Sequence, residues 1–315
     1  MSISSAITAA QGRVADCYTA ISNKGGTLPA TQNLANMPTA IGSIPSGGGT
    51  KFGASIDSLI GDVDANGVLQ FPSVGGNLVF TGVKDVVSYG LYYKFYNNQQ
   101  ISSVNLQDLL NVSGDYALTY SFYSCKINQQ TLDLSSLTTV SGNYALSNAF
   151  RFNYPTHLDL SSLTTVSGNY ALSFAFSNSY SGSGTVGTSS VDLSSLTTIS
   201  GQSAFSSCFS SARLLQSISF DSLETINNSS IFSGCFGSCE RLGSIYFNSL
   251  KTTSFGSYTN QFNNMFDSST ASTSGTCTVH FPSNLQSTIS GLTGYPTFGG
   301  NVSRIILAFD LPATT

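Results

Sequence analysis

LDLSSLTTVSGNYALSNAF, residues 132–150, returns 26 residues later as LDLSSLTTVSGNYALSFAF, residues 158–176, with Asn148 against Phe174 as the single difference. Sliding this template along the chain finds VDLSSLTTISGQSAFSSCF from Val191, ISFDSLETINNSSIFSGCF from Ile218, IYFNSLKTTSFGSYTNQF from Ile245, VNLQDLLNVSGDYALTYSF from Val104, and a weaker copy, LVFTGVKDVVSYGLYYKF, from Leu78. Seven copies at a period of about 26 to 28 residues mean a solenoid. One step is longer, between Ser177 and Ser190. In each copy a short apolar stretch alternates with polar residues, as in Leu132 and Leu134, Val191 and Leu193, or Ile218 and Phe220, the period of a half-buried strand. Leu137, Val140, Ala145, Leu146 and Phe150 recur as Leu163, Val166, Ala171, Leu172 and Phe176, so like stacks on like when coils lie about 4.8 Å apart. No single coil buries enough to stand alone, so the array folds as a unit with capped ends. Residues 51–77 and those from Cys277 onward break the repeat and are the expected caps.

Composition restricts the function classes. Charged residues make up 8% of the chain, against roughly 25% in an average soluble protein, so Ser, Thr, Asn and Gly supply the polar surface. With 11 Lys and Arg and a net charge of −4, no basic patch is expected to track phosphates, and nucleic acid is excluded as a partner. The opening MSISSAITAAQGRVADCYTA has no basic stretch ahead of a continuous apolar one, and nowhere do about 18 apolar residues run together. Neither a secretion signal nor membrane insertion is expected. Cys17, Cys125, Cys208, Cys235, Cys239 and Cys277 show only one CxxxC spacing and are read as buried reduced thiols. With His157 and His280 the only histidines, no zinc site is expected.

Ala204, Phe205 and Cys208 followed by Leu215 and Ile218, and again Phe232 to Cys235 followed by Leu242 and Ile245, form an AF-x-x-C and L-x-x-I pattern. It resembles the BspA-type leucine-rich repeats of bacterial and phage surface proteins, over roughly residues 78–285. The resemblance implies a β-rich leucine-rich-repeat solenoid used for adhesion. The copies here are longer than the usual repeat and several lack its Cys. Residues 21–49, ISNKGGTLPATQNLANMPTAIGSIPSGGG, look like the N-terminal attachment region of tail-associated proteins in phages of gut bacteria. Residues 277–300, CTVHFPSNLQSTISGLTGYPTFGG, look like their C-terminal end. The implication is a virion component, a tail fibre or baseplate adhesin, although head fibres share such parts.

Ahead of the solenoid, Ile3, Ile7, Ala10, Val14, Cys17 and Ile21 are spaced 4, 3, 4, 3, 4, an a/d seam across nearly three heptads. Leu34, Met37 and Ile41 repeat the 3 and 4 spacing. So narrow a stripe cannot hold a helix alone, and it is read as a docking and oligomerisation segment. The apolar, partly β-branched a positions Ile7, Val14 and Ile21 are compatible with a dimer, while the phage resemblance favours a homotrimer. Pro45-Ser46-Gly47-Gly48-Gly49 then breaks the chain.

Chemistry-bearing patterns are few. Asp62, Asp64 and Asn66 match the first half of a calcium loop, but the twelfth position is Ser73 where a bidentate Glu is needed. A turn at Asn66-Gly67 between two strands is the preferred reading, and calcium the weak alternative. Asp133, Asp159 and Asp192 share one repeat position and could suggest paired carboxylates, but a common turn role explains the recurrence better. No catalytic set and no cofactor is expected. Receptor contact is assigned to the insertion SNSYSGSGTVGTSS, with Asn178 and Tyr180, because extra residues in a solenoid are forced out as a loop. Tyr92, Tyr93 and Tyr96 form a second candidate, since aromatic rings suit sugars or fill caps.

The expected architecture is thus mainly β: a BspA-like leucine-rich-repeat solenoid of about seven 26–28-residue coils. Short N-terminal helices forming a coiled-coil-like oligomeric anchor precede it. The divisions are a helical anchor over 1–46, a linker and N-terminal cap over 47–77, the solenoid over 78–276 and a C-terminal cap over 277–315. The expected role is a bacteriophage tail-fibre or baseplate adhesin on the virion exterior, binding a host-surface glycan or protein and other virion proteins through its N-terminus. A capsid, head-fibre or neck decoration and a bacterial surface adhesin are the alternatives.

Overall fold

The computed structural model describes residues 76–80, 83–179, 186–266, 276–300 and 303–314, with Val14, Ala30, Thr31 and the pairs at 62–63 and 69–70. The chain divides into two units, Met1–Lys51 and Phe52–Thr315. Within the first, Val14 is helical, and Ile3, Ile7, Ala10, Cys17, Ile21, Leu34, Met37 and Ile41 lie outside the described residues.

The second unit is mainly β, a parallel solenoid of about eight turns with very little helix. It begins with an antiparallel pair, β1 (Asp62–Val63) and β2 (Leu69–Gln70), with Asp62 opposite Gln70 and Val63 opposite Leu69; Asp64 and Asn66 lie outside the described residues. All later strands pair in parallel. One line of strands, broken into three hydrogen-bonded sheets, comprises β3 (Gly76–Val79) and β4 (Ile101–Asn105). It continues with β6 (Thr131–Asp133), β8 (His157–Asp159) and β10 (Ser190–Asp192), then β12 (Ser217–Ser219), β14 (Ser244–Tyr246), β15 (Cys277–Pro282) and β16 (Ile305–Leu311). The breaks fall between β4 and β6 and between β10 and β12. A second line comprises β5 (Asn111–Val112), β7 (Thr139–Val140), β9 (Thr165–Val166), β11 (Thr198–Ile199) and β13 (Thr225–Ile226). Register follows the sequence repeat: Leu132 pairs with Leu158 and Leu158 with Val191, while Val140, Val166, Ile199 and Ile226 line up in the second sheet.

Each repeat motif has a physical task. Asp133, Asp159 and Asp192 accept the backbone N–H of Ser135, Ser161 and Ser194 at 2.9 to 3.0 Å. These are Asx turns that bend the chain between the sheets. Thr138, Thr164 and Thr197 each donate a side-chain hydroxyl to a carbonyl of the preceding coil at 3.0 Å. At Gly142, Gly168 and Gly201 a Cβ would sit 2.0 Å from the carbonyl oxygen of the glycine one coil back, so only glycine allows the coils to approach this closely.

The core is a set of side-chain columns. Phe95, Phe122, Phe150, Phe176, Phe209 and Phe236 stack with centroids 5.1 to 6.1 Å apart. A second column, Phe220, Phe247, Phe281 and Phe309, begins in the sixth coil at 5.0 to 5.9 Å. Cys125, Cys208, Cys235, Cys239 and Cys277 are buried thiols of the same core.

The solenoid has about eight turns where the repeat predicts about seven, because residues beyond Cys277 keep the coil path after losing the sequence pattern. Strands β15 and β16 continue the β14 ladder in parallel, so the segment expected as a C-terminal cap is itself part of the ladder. Helix among the described residues is limited to Val14, the 3-10 turns Thr252–Phe255 and Ser283–Leu285, and the five-residue helix Gln286–Ser290. None is long and apolar enough to cross a membrane.

Candidate functional site

Between the second-sheet strand of one coil and the first-sheet strand of the next, the chain forms a ribbon of overlapping turns. In the second coil Thr119, Ser121 and Tyr123 donate N–H groups to the carbonyls three residues back, at 3.3, 2.9 and 3.4 Å. The alternate donors Leu118, Tyr120 and Phe122 reach Ala145, Ser147 and Ala149 of the next coil at 2.7, 3.1 and 2.9 Å. Every second amide closes a turn and every other one builds the stack, which satisfies the backbone without a regular strand.

This path requires a left-handed backbone at every fourth residue. The φ angles are 56°, 56° and 55° at Tyr116, Tyr120 and Ser124, then 55°, 55° and 61° at Tyr144, Asn148 and Phe152, and 54°, 55° and 53° at Tyr170, Phe174 and Asn178. Such residues are uncommon outside glycine, and here hydrogen bonds to neighbouring coils hold them. The same period of four sends Leu118 and Phe122, Leu146 and Phe150, and Leu172 and Phe176 into the core, while the left-handed Tyr116, Tyr120, Tyr144, Phe152, Tyr170 and Phe174 keep partial exposure.

In the first four coils most of the left-handed ribbon positions are Tyr or Phe, with Asn97, Ser124, Asn148 and Asn178 among them. Tyr89, Tyr116, Tyr144 and Tyr170 stack at 5.3, 5.0 and 4.9 Å. Tyr93 stacks on Tyr120 at 4.7 Å and Tyr96 on Tyr123 at 4.9 Å. Tyr92 stands edge-on to both Tyr89 and Tyr116. Nine of the 15 tyrosines thereby share one face, with Phe152 and Phe174 at its far edge. In later coils the equivalent left-handed positions are Ser203, Ser207, Ser211, Ser230, Gly234 and Ser238, so the aromatic face ends there.

The stacked rings shelter their hydroxyls. Partial burial, then the neighbouring phenols of Tyr120, Tyr92, Tyr96 and Tyr123, push the Tyr93 phenol above its usual range. Burial, followed by Tyr170 and Tyr116, does the same to Tyr144. Along one border Asp115, Asn143 and Asn169 accept the backbone N–H of Asn143, Asn169 and Gln202 at 2.7, 3.0 and 2.8 Å. That side-chain ladder is spent on structure.

Of the residues singled out in sequence, Tyr92, Tyr93 and Tyr96 are 38%, 41% and 46% exposed and belong to this face. Asn178 is half-buried in the outer left-handed column, its amide bonded to Ser210 O at 2.7 Å. Tyr180 lies outside the described residues. The insertion is pinned at its base, where the Thr188 amide donates to Ser179 O at 3.0 Å and the Thr188 hydroxyl to Pro155 O at 2.9 Å. Asp62 lies in β1, opposite Gln70. Asp133, Asp159 and Asp192 are committed to their turns. His157 bonds Ser190 at 2.8 Å, and His280 bonds Asp310 at 2.9 Å beneath the Tyr246 ring. Among the described residues no three His, Cys, Asp or Glu side chains converge as a metal site would require.

Sequence reasoning missed Tyr89, Tyr116, Tyr120, Tyr123, Tyr144, Tyr170, Phe152, Phe174 and Arg151. The signal was present: Tyr116, Tyr144 and Tyr170 hold one repeat position and therefore stack, yet no strand or helix period tells which way that position points. The arrangement offers binding surface, with rings, hydroxyls and little charge. Comparison of the chain with protein-family models, curated proteins and solved structures returns no match.

Proposed function

We propose that this chain is a non-enzymatic attachment protein whose turn-ribbon face of tyrosines engages the surface of a host cell. The observation that carries the reading is the gathering of nine tyrosines on one side of a rigid scaffold, four of them, Tyr89, Tyr92, Tyr93 and Tyr96, between 38% and 57% exposed. Contiguous exposed apolar surface of this kind marks interaction sites. Tyr set among Ser and Asn supplies stiff contact area with adaptable hydrogen bonding, as in binding loops. The repeat resemblance supports a BspA-type leucine-rich-repeat adhesin, and the terminal segments support placement on a phage virion, as a tail fibre or baseplate component. Residues 1–46 then serve as the oligomeric helical anchor, a trimer in this reading, that joins the particle.

The test is adsorption of the labelled full chain to candidate bacterial cells. Replacing Tyr89, Tyr92, Tyr93 and Tyr96 by Ser is expected to abolish adsorption while leaving the melting temperature of the solenoid within a few degrees. Full adsorption by the fourfold variant would move attachment elsewhere, to the insertion at 177–190 first. Failure of the unaltered chain to adsorb to any cell, with uptake into phage particles intact, would replace the adhesin by a virion decoration.

A further inference from the structure

The tyrosine face contains one cation held in a built setting. The Arg151 guanidinium lies 5.0 Å from the ring centroid of Phe152 and 4.8 Å from that of Phe174, sandwiched by cation–π contacts. One of its terminal nitrogens donates to Asn148 Oδ1 at 3.2 Å. Its Nε is enclosed and has no hydrogen-bond partner. Ion pairs among the described residues are Lys84 with Asp108, Arg213 with Glu240 and His280 with Asp310; none includes Arg151. The amides of Asn97 and Ser124 bond Tyr123 O and Arg151 O in turn. Arg151 therefore takes, in the third coil, the outward place that Tyr96 and Tyr123 take in the first and second.

The geometry points to an acidic carbohydrate chain as the ligand of this face, its carboxylate or phosphate read by Arg151 and its sugar hydroxyls by the tyrosine columns. This rests on the reading of the face as an attachment surface. A guanidinium oriented by two rings and an amide, with no carboxylate paired to it among the described residues, is preorganised for an anion. The phenol hydroxyls each donate and accept, and they recur at the coil interval of about 5 Å. A ligand that is itself a polymer of hydroxyl-bearing rings presents a matching repeat. Arg151, at one edge, fixes where along the columns the charged sugar sits.

The experiment measures binding of the full chain, by calorimetry and on an array, to uronate-, sialate- and phosphate-bearing oligosaccharides and to their carboxyl-reduced or dephosphorylated counterparts. Arg151→Gln and Arg151→Lys are measured in parallel. The expected result is binding of an acidic glycan at least about ten-fold tighter than its neutral counterpart, with Arg151→Gln binding both forms equally and Arg151→Lys in between. Equal binding of acidic and neutral forms by the unaltered chain, or an Arg151→Gln variant that keeps the preference, overturns the inference and leaves the attachment reading standing. If no acidic glycan binds above its neutral form while cell adsorption persists and is lost with the fourfold tyrosine variant, the ligand class is wrong and the face is right. Loss of Arg151 that lowers the melting temperature without changing the glycan preference assigns the residue a structural role, which also overturns the inference.

Discussion

At Gly168 the fold leaves no room for a side chain, because a Cβ would lie 2.0 Å from Gly142 O, whereas at Gly243 the nearest atom would be 3.7 Å away. Gly168→Ala is expected to cost about 1–3 kcal/mol or more, and Gly243→Ala under about 0.5 kcal/mol. Urea unfolding of the two variants checks this, and equal losses would contradict the close approach. The cysteines give a second test at the same scale. Burial pushes the thiols of Cys125 and Cys277 up to about 12 and raises those of Cys208 and Cys235 well above the ordinary thiol value, and the thiolate is the reactive form. Of the five cysteines among the described residues, none should react with a disulfide reagent at neutral pH until denaturant is added. Rapid labelling of any of them in the folded chain would show that its coil opens.

Columns, more than individual strands, are the elements that hold this molecule together. Phe150 is stacked on both sides, by Phe122 at 5.2 Å and Phe176 at 5.8 Å, while Phe309 is half-buried at the end of its column on Phe281. Truncation of Phe150 to Ala should cost about 3–5 kcal/mol and of Phe309 less than half of that; calorimetric melting of both variants decides, with equal losses contradicting the column picture. The tyrosine columns add a pH signature. The Tyr93 and Tyr144 phenols ionise above the ordinary value of 10.0 when folded, so the folded state favours the neutral form. Their contribution is fully present below pH 10.0 and is lost as pH rises through the higher folded values. Tyrosinate absorbance of the folded chain should therefore lag that of the urea-unfolded chain. These inward and outward columns mark what the sequence made legible. Leu132, Val140 and Phe150 announce themselves by recurrence and alternation, and their counterparts pair in register. The turn ribbon does not, because its left-handed positions are filled by Tyr, Ser and Phe more often than by Asn, the non-glycine residue that favours that conformation, and they vary from coil to coil. Without that geometry, Tyr92, Tyr93 and Tyr96 read as an isolated cluster near the first coil, when they open a face that runs to Tyr170.

Over the whole molecule, stacking distributes its resources unevenly. The rings crowd the turn-ribbon face of the first four coils, and serine takes over in the later ones, so the solenoid is regular inside and polarised outside. Phe52–Thr315 forms a unit of its own, and deletion of residues 1–46 is expected to leave its melting transition in place while abolishing oligomerisation and particle incorporation. A truncated chain that retains its oligomeric mass by light scattering would refute the anchor. The claim that the tyrosine face makes the attachment is tested most directly by nitrating the full chain with tetranitromethane, free and bound to host cells, and reading each tyrosine by mass spectrometry. Tyr258 and Tyr295, 41% and 42% exposed and remote from the ribbon columns, serve as internal controls against Tyr89 at 57% and Tyr93 at 41%. Protection of Tyr89, Tyr92, Tyr93 and Tyr96 on binding, with Tyr258 and Tyr295 modified as before, is the predicted result; unchanged nitration of the four face tyrosines in the cell-bound protein would contradict it.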